Sequence, residues 1–203
     1  MNEIFERKRK LELLVSNSNE IQKTLSLPNL MLEYANQGNF DKCISLYAAS
    51  FLYKTESQNT ILAAIKQKAS HVICQVEQRI NDLLKSQITL SSGIQLLTHL
   101  RRIKELQAER GFELSLSKQF IYCRNVYLNS LLDSDFDGKR QFYFDLISLF
   151  KLVFPTFVHV LSSFLIEKFA EMQKSDAESL IYFAGAMARV GWDMRPLLVA
   201  RSD

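Results

Sequence analysis

The sequence predicts an all-α protein, a bundle of about eight or nine helices. Apolar residues recur every three to four positions over most of the chain, which is the spacing of one face of an α-helix. Only 6 glycines and 3 prolines occur among the 203 residues, too few for the many turns of a sandwich or a barrel. Hydrophobic residues make up 47% of the chain, which is enough to form a buried core.

Charge and cysteine content favour neither a nucleic-acid-binding protein nor a disulfide-bonded one. The chain has 25 basic and 22 acidic residues. It therefore lacks the large excess of positive charge that is typical of a nucleic-acid-binding protein. Cys43, Cys74 and Cys123 are far apart and lack CxxC spacing, so we expect reduced thiols in a cytosolic type of compartment. The first residues mix charged and apolar side chains, which is unlike a secretory signal.

The most apolar stretch of the chain runs from Leu146 to Ile166. It contains Lys151 and Pro155, and its uncharged part is shorter than the ~18–20 residues that a membrane span needs. We interpret it as two buried helices that meet at Pro155.

The N-terminal segment is predicted to be one long helix with a narrow apolar strip. The strip consists of five residues at heptad spacing, namely Ile4, Leu11, Leu14, Ile21 and Leu25. Arg7 and Ser18 interrupt this heptad seam. So narrow a strip cannot bury itself, and it is covered either by a partner helix or by the domain behind it. We therefore predict a partner-binding helix over residues 1–25 and a helical domain over residues 26–203.

A helical hairpin is predicted to follow. Ser26 and Pro28 indicate a break, with a new helix restarting at Pro28. That helix is expected to end at Gly38, and Asn39 or Asp41 to begin the next one. The second helix has four apolar residues on one side, Cys43, Ile44, Tyr47 and Phe51.

The longest predicted helix runs from Asn59 to Lys85. Its apolar positions are Ile61, Ile65, Ala69, Val72, Ile73, Val76, Ile80, Leu83 and Leu84. Ser91 or Ser92 is expected to cap the next helix, which closes near Gly111. Further helices are expected at about 115–132, up to 154, at 156–172 and from 175 or 176 to 190, with a loop at 133–138.

The sequence predicts no catalytic, cofactor-binding or metal-binding residue. The run from Asp133 to Gly138 resembles the start of a calcium loop, but Phe144 stands where the loop needs a glutamate. His71 and Cys74 share a helix face, and we interpret them as a packed histidine beside a buried thiol. None of the common nucleophile, P-loop, zinc-protease or dinucleotide motifs occurs.

Two clusters of basic residues need an interpretation. One is the run from Arg7 to Lys10, and the other is formed by Arg101, Arg102 and Lys104. We interpret both as solvated helix faces. The alternative is contact with anionic headgroups or an acidic partner, and a nucleic-acid or acidic-lipid binder would use the second cluster.

Several stretches, in order, resemble a known family. They are Leu27–Met31, Gly38–Phe40, Ile65–Leu84, Ile94–Arg102 and Tyr182–Arg195. Together they resemble the family of subunit 8 of the conserved oligomeric Golgi complex. Members of that family are commonly much longer, so the resemblance implies a short member.

The resemblance implies a helical-rod tether without catalytic residues or cofactors. It implies a peripheral protein on the cytosolic face of the Golgi membrane, within a complex that captures vesicles in intra-Golgi retrograde transport. Its partners would be the sister subunits, with no nucleic acid and no small-molecule substrate. In the family an N-terminal coiled region joins sister subunits, which matches the strip from Ile4 to Leu25. The alternative is a subunit of another helical-rod tether, or a generic helical adaptor.

Overall fold

The computed structural model describes residues 2–16, 18–51, 60–107, 111–131, 136–175 and 188. These residues form α-helices and one short 3-10 helix, without a strand, so the predicted all-α class is confirmed. The helices are α1 (Asn2–Ser16), α2 (Ser18–Asn36), α3 (Phe40–Ser50), α4 (Thr60–Leu84), α5 (Leu90–Leu106), α6 (Phe112–Ser130), α7 (Phe136–Val153) and α8 (Val158–Ser175), with the 3-10 helix at Pro155–Phe157. The helix expected to begin at residue 175 or 176 lies almost wholly outside the described residues.

The chain divides into two compact units, residues 1–77 and 78–203, and the division falls within α4. In the first unit α2 and α3 pack as the predicted hairpin. Gly38, at φ +75°, follows the end of α2, where a left-handed residue satisfies the last carbonyls. The side chain of Asn39 then caps α3 by accepting a hydrogen bond from the Lys42 N–H at 3.4 Å.

The predicted break at Ser26 and Pro28 is wrong, because Pro28 lies inside α2. A proline within a helix removes one backbone hydrogen bond and costs about 3 kcal/mol. Leu27 and Met31, on either side of it, are buried while α2 packs against α3. Burial of two such side chains contributes about 1.5–3 kcal/mol each, which offsets the local cost.

The predicted buried faces of α3 and α4 are mostly confirmed. Cys43, Ile44 and Tyr47 are buried, whereas Phe51 lies past the end of α3 and is half exposed. Seven of the nine predicted positions of α4 are buried, namely Ile65, Ala69, Val72, Ile73, Val76, Ile80 and Leu84. Ile61 and Leu83 are exposed, and Leu83 lies about 100° round the helix from its buried neighbour Leu84.

In the second unit α5, α6 and α7 pack against one another, and α8 packs on α6 and α7. An aromatic cluster lies at the centre of these contacts. The ring centroid of Phe150 is 6.3 Å from that of Phe120 and 5.2 Å from that of Phe154. All three rings are almost completely buried.

Three predicted helix ends in this unit differ from the structure. Thr89 begins α5, where its Oγ1 accepts a hydrogen bond from the Ser92 N–H at 3.2 Å, so neither Ser91 nor Ser92 is the cap. Gly111, at φ +69°, begins α6 and does not close α5. Because α7 already begins at Phe136, the expected loop extends at most to residue 135, and residues 132–135 lie outside the described part.

Pro155 separates α7 from α8, as the sequence predicted. It opens the 3-10 helix, and the helix axis bends by 114° between the segments Gly138–Val153 and Pro155–Lys168. Among the described residues no single helix has the length and hydropathy to cross a membrane, and only this bent pair meets that test jointly.

Candidate partner-binding surface

Helix α1 is uncovered along its described length. Every described side chain of this helix, at residues 4–12 and 15, is exposed. Among them Ile4 is 75%, Leu11 61% and Val15 72% exposed. A helix of 15 residues is only marginally stable in water by itself. The amino-terminal helix therefore presents apolar side chains that the described part of the chain does not bury.

The exposed apolar residues of α1 share one side of the helix. At ~100° per residue, Ile4, Leu11 and Val15 fall within an arc of about 40°. The heptad count did not include Val15, although it lies four residues after Leu11 and therefore on the same face. Phe5 is also exposed, at 76%, on an adjacent side.

The exposed apolar residues continue into α2. Leu25 is 53% exposed, and Leu32, seven residues later, is 39% exposed. Ile4, Leu11, Leu25 and Leu32 are thus separated by multiples of seven residues, the repeat of a coiled-coil seam. Leu14 and Ile21 lie in α1 and α2, but their side chains are outside the described part. We call Ile4, Leu11, Val15, Leu25 and Leu32 the apolar stripe.

Arg101, which the sequence placed in a solvated cluster, is engaged in holding helices together. Its guanidinium donates to both carboxylate oxygens of Glu113, at 2.7 and 3.1 Å, and to the carbonyl of Val153 at 3.1 Å. It therefore links α5 to the first turn of α6 and the end of α7. A ligand could recruit Arg101 only by breaking these contacts, which weakens the nucleic-acid or acidic-lipid alternative.

Arg124 was not singled out by the sequence, yet it is a buried cation among the described residues of the second unit. It is 5% exposed, and its Nη1 donates to the carbonyls of Leu84 at 2.8 Å and Ser86 at 2.7 Å. The side chain thereby closes the carboxyl end of α4 from a position on α6. Its guanidinium also lies over the rings of Tyr127 and Phe142, at 4.7 and 5.2 Å. Burial lowers the pKa of Arg124, which marks the cost of desolvating this charge.

The cysteines and histidines give no sign of a reactive site. The predicted packing of His71 beside a buried Cys74 is wrong, since both side chains are exposed on α4. Cys43 and Cys123 are buried, and all three cysteines are free thiols, as predicted. Burial raises the pKa of Cys43 to about 11, so this thiol is protonated at neutral pH. Within the described ranges no cluster of three potential metal ligands occurs.

One open cleft of about 500 Å³ lies where α5 begins. It is lined by Gln87, Ile88, Thr89, Leu90 and Asp145. Asp145 is the only ionisable side chain in that lining, and it accepts a hydrogen bond from Gln141 at 2.9 Å. A single carboxylate without an acid or base partner does not form a general acid–base pair.

The fold and the apolar stripe define a class of protein: a helical protein with an uncovered amino-terminal helix. The chain belongs to the Dor1-like family, whose profile matches residues 1–156. It is similar to the conserved oligomeric Golgi complex subunit 8 of Dictyostelium discoideum, with 22% identity over 233 aligned positions. The alignment covers 96% of this chain and 29% of the relative, so the chain spans less than a third of that protein's length. No solved structure matches the chain significantly. The predicted family resemblance is therefore confirmed.

Proposed function

We propose that this chain is a non-enzymatic subunit of the conserved oligomeric Golgi complex and takes part in vesicle tethering during intra-Golgi retrograde transport. Membership of the Dor1-like family and similarity to a protein named as a subunit of that complex support the proposal. Such a subunit would act at the cytosolic face of the Golgi membrane as a peripheral protein. Its function would be to hold other subunits in place.

The observation that carries the proposal is the exposed apolar stripe on α1 and α2. Its five residues are 39–75% exposed. Full burial of a Leu, Ile or Val side chain contributes about 1.5–3 kcal/mol. Burial of all five side chains can therefore contribute more than the lower estimates of the free-energy cost of association, which begin at about 4 kcal/mol. A helix from a sister subunit laid along the stripe would bury these side chains in the manner of a coiled coil.

The test is substitution of the stripe followed by recovery of the complex from cells. Leu11→Asp places a charge in the stripe, whereas Leu152→Asp makes the same change at a leucine of α7 with almost the same exposure, 62% against 61%. Tagged chains are purified from gently lysed cells, and sister subunits are identified by mass spectrometry. We expect Leu11→Asp to lose the sister subunits at least tenfold and Leu152→Asp to keep them.

Two results would contradict the proposal. One is recovery of the same sister subunits with Leu11→Asp as with the unsubstituted chain. The other is recovery of the subunits of a different tethering complex by the unsubstituted chain. Circular dichroism of both variants controls for folding, because both positions are exposed and neither substitution should reduce helicity.

A further inference from the structure

We infer that the helix bound by the apolar stripe carries acidic residues opposite Arg7 and beside Lys8. This inference rests on the proposed function, since it specifies the chemistry of the sister helix that the stripe would bind. It is an inference about charge, and its test separates it from the question of whether the stripe binds a helix at all.

Two basic side chains lie closest to the stripe. At ~100° per residue, Lys8 and Arg7 lie about 40° and 60° to either side of Ile4, and both are exposed. In the heptad count Arg7 stands at a seam position, which a partner helix covers directly. Glu12 lies farther round the helix, at about 80°.

A cation at a seam position selects its partner. When a second helix covers Arg7, the guanidinium leaves bulk water, and it needs a carboxylate to offset the desolvation. A single polar residue in such a seam fixes register and partner choice at some cost in stability. An acidic residue of the partner opposite Arg7 would satisfy the charge, and a basic one would be rejected.

A second copy of this chain fits the stripe less well in the two registers that align the stripe with itself. In a parallel pair Arg7 faces Arg7 of the other copy. In an antiparallel pair that places Ile4 opposite Leu11, Arg7 faces Lys8 of the other copy. Both arrangements bring like charges together where an interface excludes water, which costs free energy. A different helix with acidic residues therefore fits the stripe better than a copy aligned in either of these ways.

A membrane surface fits less well than a helix does. Helices that lie in the headgroup region have a broad apolar face and a strongly basic polar face. On α1 the residues Ile4, Leu11 and Val15 cover an arc of about 40°, which the exposed Phe5 widens to about 120°. Among its described side chains α1 carries two acidic residues beside four basic ones, namely Glu6, Glu12, Arg7, Lys8, Arg9 and Lys10.

The test uses two synthetic helical peptides as probes. Both have a leucine and isoleucine heptad seam, but the seam position opposite Arg7 and the positions beside Lys8 are glutamate in one peptide and lysine in the other. Binding to the full chain is measured by fluorescence anisotropy at low and high salt. We expect the glutamate peptide to bind at least tenfold more tightly, with a preference that shrinks as salt screens the charges.

A pair of charge-reversed variants locates the effect. Arg7→Glu with Lys8→Glu should reverse the preference, so that the lysine peptide binds more tightly. Arg9→Glu with Lys10→Glu makes the same change in net charge on the sides of α1 away from the stripe, and it should keep the preference for the glutamate peptide. Circular dichroism confirms that both variants retain their helicity.

Several outcomes would overturn the inference. They are equal affinity for the two peptides, the same response in both charge-reversed variants, dimerisation of the chain through α1, and binding to phosphatidylserine vesicles in place of the glutamate peptide. The proposed function has its own test in the recovery of sister subunits with Leu11→Asp. A failure of the charge inference and a failure of the proposed function are therefore distinguishable.

Discussion

Three arginines of this chain have different roles, because the surroundings of each side chain differ. Arg7 is exposed on α1, beside the apolar stripe. Arg101 is partly exposed and forms a two-bond contact with Glu113. Arg124 is buried and donates to two main-chain carbonyls. Since a charge out of water must be satisfied by hydrogen bonds, the burial of Arg124 makes it the one whose loss matters most for stability.

Arg124→Met should destabilise the protein. The methionine fills part of the same volume but leaves the carbonyls of Leu84 and Ser86 without their donor. Hydrogen bonds from a charged group contribute about 1.5–3 kcal/mol each, and relief of desolvation offsets part of that, so we expect a loss of about 2 kcal/mol or more. Urea unfolding followed by circular dichroism measures the change.

Lys118→Met provides the matched control for this measurement. It also replaces a cation of α6 by methionine, but at an exposed position. We expect a change within about 0.5 kcal/mol. Equal stabilities of the Arg124→Met variant and the unsubstituted protein would show that the contact with the end of α4 is not stabilising.

At the scale of elements, the close packing of α5 against α7 depends on one small residue. Gly93 is buried in α5, and a Cβ atom added to it would lie 2.6 Å from Cδ2 of Leu149 in α7. That distance is below van der Waals contact, and Leu149 is itself buried, so it has little room to move. Helix α7 can therefore approach α5 this closely only because residue 93 has no side chain.

Gly93→Ala should destabilise the protein by about 1 kcal/mol. Overpacking costs about 1–3 kcal/mol, and the better helix propensity of alanine returns about 1 kcal/mol. In a Leu149→Ala background only the 3.3 Å approach to Cδ1 of Ile88, the end of a flexible side chain, remains, so Gly93→Ala should there be stabilising. The change of sign is measured by urea unfolding of the four proteins of a double-mutant cycle. A stabilising effect of Gly93→Ala in both backgrounds would contradict the close approach.

At the scale of the whole molecule, burial is distributed unevenly along the chain. The described side chains of α1 are exposed throughout, whereas Leu100, Ile103 and Phe150 in α5 and α7 are fully buried. Local opening is cheapest where few apolar contacts must be broken. A short helix with few tertiary contacts has little protection of its own. We therefore expect α1 to be stably helical only when a partner covers it, whereas the core helices are stabilised by contacts within the chain.

Hydrogen exchange should show this difference. In the free chain we expect the amides of residues 4–12 to exchange near the rates of an unstructured peptide, and those of residues 96–103 in α5 to exchange orders of magnitude more slowly. In the purified complex the exchange of residues 4–12 should slow by at least tenfold. Mass spectrometry of peptic fragments measures both segments in one experiment. Equal protection of the two segments in the free chain would contradict an uncovered α1.

The sequence by itself determined the features that depend on neighbouring residues. The helical class, the end of α2 before Gly38, the Asn39 cap and the extent of α4 were all predicted, since periodicity and capping are local. The heptad count also indicated an apolar strip near the amino terminus. Its Ile4, Leu11 and Leu25 are exposed in the structure, and their role in partner binding stays a prediction.

Only the tertiary structure decided what depends on residues distant in the chain. Packing against α3 keeps α2 helical through Pro28, and pairing with Glu113 occupies Arg101. The contact between Arg124 and the end of α4 joins residues about 40 positions apart. No local pattern specifies such contacts, because they depend on how the helices pack against one another. The same packing leaves Val15 and Leu32 exposed beside the predicted strip.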